Sequence, residues 1–255
     1  MTAIRVNALG GSSLRYVIPA ALDLNNVPAH VACVMDGNGR WAQMRGLQRT
    51  EGHAAGEEAL FDAIEGAVEV GIKWLTVYAF STENWKRPPE EVRFLMAFNE
   101  SLLVNRSQEL HEMNVRIRFI GRRNWRVPKR VLRRIDEATE LTKNNTGLTF
   151  TIAFNYGGRA EIIDAIKSMI EDDVPANKVD ERKLRKYFYD PQMPDVDLMV
   201  RTSGEFRISN FLLWENAYSE MVFTETLWPD FRRTHLFDAI LVYQERDRRF
   251  GGLNR

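Results

Sequence analysis

The sequence predicts an α/β fold, a single domain with a central, mainly parallel six-stranded sheet flanked by helices. Three observations carry this. Short β-rich apolar runs alternate with helical patterns of ten or more residues, which is the signature of crossover connections between parallel strands. The first, second and fourth runs are continuously apolar, as strands buried on both faces must be. Polar, glycine-bearing clusters follow the runs directly, and in an open parallel sheet the ligand site lies beyond the carboxyl ends of the strands.

The elements follow in order. "HVACVM" (30–35) is the first strand. "GHAAGEEALFDAIEGAVEVG" (52–71) is a helix, because Leu60, Phe61, Ile64, Ala67 and Val68 share one side and Gly71 supplies a stop. "KWLTVYAF" is the second strand, and a long helical region runs from Pro88-Pro89 to Asn114. "VRIRFIG", "LTFTIAFNYGG", "VDLMVRTSG" and "MVFTET" are strands three to six. Between them lie helices at "PKRVLRRIDEATELTKNN", "RAEIIDAIKSMIED" and "ERKLRKYFYD", and "THLFDAILVYQERDRRF" is the last helix.

Composition narrows the function classes. With 44% hydrophobic residues in 255, the chain can bury a full core and is not disordered. Its 35 basic and 35 acidic residues cancel, so no nucleic-acid partner is expected, since displacing phosphate counterions needs excess positive charge. Any anion binding must come from local clusters. The single cysteine, Cys33, excludes an internal disulfide and reads as core packing. No run reaches the roughly 18 apolar residues of a membrane span. Residues 1–29 are broken by Gly10, Gly11, Arg15 and Pro19 and read as an N-terminal arm rather than a signal peptide, with 30–255 as the single folded domain. A cytoplasmic protein is expected, with a possible peripheral contact at the membrane's inner face through that arm.

The chemistry gathers after the strands. Asp36-Gly37-Asn38-Gly39-Arg40 leaves the first strand into a glycine-bearing turn that suits a phosphate, although it lacks the lysine of a P-loop and is not GxGxxG. A leading carboxylate makes sense there if Mg²⁺ bridges acid and phosphate; an ordinary strand-end turn is the alternative. Arg40, Arg49 and His53 add donors beside it, and arginine suits bidentate phosphate contacts. Ser81, Glu83, Asn84 and Arg87 follow the second strand, where capping of the next helix is the plainer reading. Arg201, Arg207 and Ser209 follow the fifth and would bind a second diphosphate, while Glu220 is a second carboxylate that could share a metal with Asp36 or simply face solvent. Physics alone gives diphosphate binding with Mg²⁺, and the transfer or ionisation of a diphosphate ester.

These motifs, "HVACVMDGNGRWA", Gly52-His53, "YAFSTENWKRP", "NYGGR", "DLMVRTSGEFRISNFLLWENAYSE" and "LWPDF", resemble the cis-prenyltransferase family, from about His30 to Gly251. The resemblance implies elongation of an allylic diphosphate such as farnesyl diphosphate by isopentenyl diphosphate, a homodimer, and a hydrophobic tunnel for the growing chain. It implies that Asp36 is essential and a Mg²⁺ ligand, with Glu220 a second. It places Gly37, Asn38, Gly39, Arg40, Trp41, Arg49 and His53 at the allylic diphosphate, with Ser81, Thr82, Glu83, Trp85 and Arg87 beside it. It gives Asn84 a proton-transfer role. A neutral amide has no useful basicity, so Asn84 reads better as orienting substrate while Asp36 or a diphosphate oxygen takes the proton. Arg201, Arg207, Ile208 and Ser209 match the isopentenyl diphosphate site, and the C-terminal Arg249-Phe250-Gly251 element is implied to reach the site of the partner subunit. Phe206 departs from relatives that carry histidine there. Ala79 is small, which in this family favours a long product, C50 to C55, used as a lipid carrier for cell-wall synthesis, over a short-chain synthase; a non-catalytic partner subunit is disfavoured because Asp36, Asn84, Arg201, Arg207 and Glu220 are all present. Phe150, Ile152 and Phe154 either line the tunnel floor or pack in the core.

Overall fold

The structure, a computed structural model, describes residues 17–246. Residues 1–16 of the expected arm, and Arg249 and Gly251, lie outside the described residues. The strands are β1 (His30–Val34), β2 (Trp74–Ser81), β3 (Arg116–Ile120), β4 (Thr149–Tyr156), β5 (Leu198–Arg201) and β6 (Glu220–Phe223). The helices are α1 (Asn38–Met44), α2 (Arg49–Glu69), α3 (Pro89–Glu112), α4 (Lys129–Thr142), α5 (Gly158–Glu171), α6 (Glu181–Arg185) and α7 (Arg233–Gln244).

The six strands form one sheet in the order β3-β4-β2-β1-β5-β6, and all pairings are parallel. From β1 the chain crosses to β2 on one side, and from β5 it crosses to β6 on the other. The carboxyl ends of β1 and β5 therefore flank the topological switch point, where a crevice must open. Asp36 and Arg201 arrive there by topology.

Alternation sorts β1 between two cores. Val31 and Cys33 join the larger core with Leu60 and Ile64 of α2, Leu95 of α3, Val131 of α4 and Phe237 of α7. Ala32 and Val34 face the smaller core, closed by Met193, Val196, Phe211 and Leu212. Alternation breaks in β2: Tyr78 pairs with Ala153 and Phe80 with Phe154, leaving Ala79 as an extra residue. Such a bulge re-aims side chains, and Val77, Tyr78 and Ala79 all border one cavity.

Several boundaries differ from the sequence expectation. The turn after β1 is itself helical, forming α1. α2 starts at Arg49 rather than Gly52, because Gln48 and Glu51 form a reciprocal cap at its N-terminus. The sixth helix is shorter than its pattern, and the last one ends at Gln244.

The smaller core sits beside two buried acids, Glu161 and Glu215, each 2% exposed. Glu161 accepts hydrogen bonds from the Tyr156 hydroxyl (2.5 Å) and the Tyr189 N–H (3.1 Å), whereas Glu215 Oε2 has no partner. Burial raises both carboxyls, Tyr156 and Tyr189 partly offset this at Glu161, and Glu161 raises Glu215 further. A carboxyl held above its unfolded value stabilises the fold fully below that value, about 4.5, and less as pH rises through the folded one. Glu215→Gln is expected to flatten the decline in Tm between pH 5 and pH 8; an unchanged decline would refute the assignment.

Candidate active site

Asp36 is clamped at the crevice by its main chain. Its N–H donates to Thr202 Oγ1 (2.9 Å), and its carbonyl accepts from that hydroxyl (2.7 Å) and from the Trp228 N–H (2.9 Å). Its carboxylate accepts from the Gly37 N–H at 2.7 Å and from Arg201 Nη2 at 2.8 Å. Gly37 has φ 105° and abuts Leu227 and Ser203, so both its conformation and its surroundings require glycine. This turn launches α1, whose first N–H groups have no partner within the helix.

α2 packs tightly behind that turn. A Cβ on Gly52 would land on the Asn38 carbonyl oxygen, and one on Gly39 would come within 2.7 Å of the Arg49 guanidinium. Gly52→Val is expected to separate α1 from α2 and destabilise the protein by about 2–3 kcal/mol, the cost of overpacking a tight contact; an unshifted melting curve would contradict it.

The basic residues arrive already paired. Arg40 donates to the Ser203 carbonyl (2.9 Å) and to Glu205 (2.9 Å), and Arg207 bonds the other oxygen of Glu205. Glu91 lies 3.6 Å from Arg49 and 2.8 Å from Arg87. Arg201 spans Asp36, the Arg207 carbonyl and Ser209 Oγ, the last at 2.7 Å. The loop it holds contains Ser209 and Asn210 at φ 51° and 65°. Asn210 ties this loop to the next two strand ends, donating to Glu83 and accepting from the Arg159 N–H, both at 2.9 Å. Ile208 packs against the smaller core. Sequence reasoning missed Thr202, Glu205, Asn210 and Glu91; the first three lie inside a quoted motif, and only the fold brings Glu91 to Arg49.

Ser81 and Asn84 cap each other: the Asn84 N–H donates to Ser81 Oγ (3.2 Å) and the Ser81 N–H to Asn84 Oδ1 (2.9 Å). The Asn84 amide is thus fixed, with its NH₂ free to donate. Thr82 borders Gly157 of the fourth-strand loop. Burial opposes ionisation of Glu83, but its own N–H, the Asn210 side-chain amide and the Ser81 and Thr82 hydroxyls hold its carboxyl below the usual range. Trp85 donates to Asn155 (2.7 Å) and packs edge-on to Phe80, a packing role. Trp41 donates to Asp230 (2.7 Å) under the Arg45 guanidinium. His53 is pulled down to about 4 by burial, with Arg87 and Arg49 adding to it, so it is neutral at pH 7, and its Nε2 has no partner.

From this polar mouth a cavity of about 120 Å³ runs inward between α2, α3 and the sheet. Asn38, His53, Asn84 and Arg87 lie at the mouth, and Leu60, Val77, Ala79, Leu95, Phe98, Leu102 and Ile152 line the interior. Of the three β4 residues proposed for the floor, only Ile152 reaches it; Phe150 and Phe154 are core residues, Phe154 against Phe80.

Glu220 is the clear departure. It opens β6 in register with Leu198, at the opposite end of the sheet from Asp36, and pairs with Arg246 at 2.8 Å. Within one chain the two carboxylates do not meet. Phe206 is 73% exposed and leans on Phe223. Among the described residues no three His, Cys, Asp or Glu side chains converge as a metal cage, and no helix is long and apolar enough to cross a membrane.

Known proteins are similar to this chain. A family model described as "Putative undecaprenyl diphosphate synthase" matches residues 34–251. The chain is 55% identical over 240 residues to a trans,polycis-polyprenyl diphosphate synthase, (2Z,6E)-farnesyl diphosphate specific, of Thermobifida fusca, covering 92% of this chain and 84% of that one. It is 53% identical over 232 residues to isoprenyl transferase 2 of Streptomyces avermitilis, covering 89% and 80%. Among solved structures, lavandulyl diphosphate synthase from Lavandula x intermedia, in complex with dimethylallyl diphosphate, superposes with a TM-score of 0.85 at 35% identity, covering 89% of this chain and all of that one. A matched family model over most of the chain, close relatives and a shared fold give one conclusion: the chain belongs to the cis-prenyltransferase family.

Proposed function

We propose that this transferase condenses isopentenyl diphosphate with an allylic diphosphate, farnesyl diphosphate or its Z isomer, and repeats the step to a Z-polyprenyl diphosphate of C50 to C55 for cell-wall lipid carriers. One observation carries the reading: the anion-binding mouth opens straight into an apolar cavity past Ala79. The Thermobifida relative's stated specificity supports a C15 primer.

In this reading the allylic diphosphate lies against the Gly37–Arg40 turn, Arg49, His53 and Arg87, and isopentenyl diphosphate against Arg201, Arg207 and Ser209. The allylic C–O bond breaks with its electron pair leaving on the diphosphate, and donors fixed in advance stabilise that charge without reorganising. The isopentenyl double bond then forms the new C–C bond, and a proton leaves the adjacent carbon. The Asn84 amide, locked by Ser81, orients the reacting ends; Asp36 or a diphosphate oxygen accepts the proton. Asp36 is half-exposed at the crevice and would hold Mg²⁺, which one carboxylate together with substrate phosphates and water commonly suffices to bind. Bound Mg²⁺ supplies further neutralisation of the leaving diphosphate. A homodimer and a peripheral membrane contact complete the proposal.

The test is incubation with Mg²⁺, farnesyl diphosphate and isopentenyl diphosphate followed by product masses. A ladder ending near C50 or C55 is expected; termination at C15 to C20 would support a short-chain synthase instead. Ala79→Leu should shorten the ladder by several units, and an unchanged ladder would remove Ala79 from the tunnel wall. Arg207→Ala should raise KM for isopentenyl diphosphate about tenfold, the scale of one charged hydrogen bond at a partly exposed site, and the allylic KM less. The reverse order would mean that the two sites are exchanged.

A further inference from the structure

One basic stretch has no part in the chemistry above. From Gly121 to Ile135, seven of fifteen residues are arginine or lysine and none is acidic, in a chain whose charges cancel overall. The stretch follows the carboxyl end of β3, so parallel pairing puts its start at the same end of the sheet as the crevice. Asn155 fixes it there. Its side-chain NH₂ donates to the Arg122 carbonyl (2.7 Å), its own carbonyl accepts from the Arg122 N–H (3.1 Å), and its Oδ1 accepts from Trp85, next to Asn84 (2.7 Å).

The tip of this loop is built outward. The side-chain oxygen and the carbonyl of Asn124 accept from the N–H groups of Arg126 and Val127, both at 3.1 Å, and Val127, 2% exposed, anchors the turn in the core. Trp125 is left 88% exposed, with the Arg126 guanidinium 5.6 Å over its ring. Lys129 and Arg130 then open α4 with no acid in its first turn, although the helix dipole favours acids there. Arg122, Arg123 and Arg130 have carboxylate partners in Asp164, Asp136 and Glu100, and Arg133 and Arg134 share Glu137. Among the described residues Arg126 and Lys129 have none, so the two cations nearest the exposed indole carry their full charge to solvent.

We propose that the β3–α4 loop, with Trp125 at its tip and Arg126 and Lys129 beside it, docks the enzyme on an anionic lipid bilayer surface. The inference rests on the preceding section's reading of a polyprenyl diphosphate product, and it assigns the peripheral membrane contact to this loop rather than to the N-terminal arm. An indole has an apolar body and a polar N–H, and it settles where a bilayer meets water. Cations beside it complement the negative headgroups. A nucleic acid fits less well, because Trp125 is the one aromatic residue of the stretch and successive bases need successive rings to stack on. Since loop and crevice lie at one end of the sheet and Asn155 joins them, docking turns the crevice toward the headgroups, where a lipid diphosphate has to be delivered.

The test measures co-sedimentation of the full-length protein with vesicles of phosphatidylcholine alone, and of phosphatidylcholine and phosphatidylglycerol in equal parts, at low and high salt. Binding to the anionic vesicles is expected, with loss at high salt. Arg126→Gln combined with Lys129→Gln is expected to weaken it about 30-fold, the scale of about fivefold for each cation near an anionic surface. Trp125→Ala is expected to weaken binding at both salt concentrations. In vesicle-free solution these variants should condense farnesyl diphosphate with isopentenyl diphosphate at the wild-type rate. A wild type that ignores anionic vesicles, or variants that bind them as wild type does, overturns the docking surface, while wild-type elongation leaves the polyprenyl reading intact. Variants that lose the first condensation in vesicle-free solution assign the loop to supporting Trp85 and also overturn it. Displacement from the vesicles by single-stranded RNA of equal charge makes the surface a nucleic-acid site and overturns the lipid assignment. A wild type that binds anionic vesicles through the loop but elongates nothing overturns the polyprenyl reading and supports the surface.

Discussion

Asp36→Ala is expected to abolish turnover, lowering kcat by about 10³-fold or more, the scale seen when a preorganised charge-stabilising group is removed. The carboxylate has two jobs in the structure: it accepts from Gly37 and Arg201, and it presents negative charge where a metal–diphosphate would dock. Alanine removes both and leaves the Arg201 guanidinium, 4% exposed as a side chain, without one of its three acceptors. Asp36→Asn removes the charge but keeps one acceptor: its amide oxygen can still take the Arg201 guanidinium, while its NH₂ then faces the Gly37 N–H. If charge is what matters, Asn is nearly as inactive as Ala but melts higher than Ala. Full activity in either variant would remove Asp36 from the chemistry.

Arg201→Lys is expected to cost about 10²-fold in kcat/KM for isopentenyl diphosphate while keeping the formal charge. Arginine here spans three acceptors, Asp36, the Arg207 carbonyl and Ser209 Oγ, and an ammonium is a point donor that cannot hold that spread. Loss of the fork frees a loop kept in left-handed conformations at Ser209 and Asn210. The first-order effect falls on the isopentenyl diphosphate side, so a matching loss in allylic diphosphate affinity would show that Arg201 acts mainly through Asp36. Steady-state kinetics with each substrate varied in turn decides between them.

The sheet was legible because its signal is redundant. Apolar runs, crossover-length helices and polar strand ends each predict the same layout, and β1, with every residue buried, shows the expected continuity. The basic clusters were legible for the same reason, since parallel topology delivers every strand end to one edge. What was hidden depends on register. Ala79, which the resemblance already placed at the tunnel, shares Val77's parity; the bulge is what could not be read, and it brings Phe80 to the larger core as well. Phe150 and Phe154 have the parity of Ile152 but lie over different neighbours, so face alone did not identify the floor. The expected sixth strand, "MVFTET", already put Glu220 at that strand's start, but only the parallel register of β6 on β5 shows that this start lies at the opposite end of the sheet from Asp36. The helical turn of α1 is too short for periodicity to separate from a loop.

The carboxylate partners of the site arginines have a consequence for turnover. Glu205 holds Arg40 and Arg207, and Glu91 holds Arg49 and Arg87. A diphosphate entering the crevice therefore performs an anion exchange: it displaces or shares a resident carboxylate rather than filling a bare positive pocket. Its net affinity is reduced by whatever the resident carboxylate contributes, a modest amount for arginines this exposed. In the proposed reaction, the glutamates would retake their arginines each time a diphosphate departs, so the crevice returns to a charge-paired state before the next substrate enters.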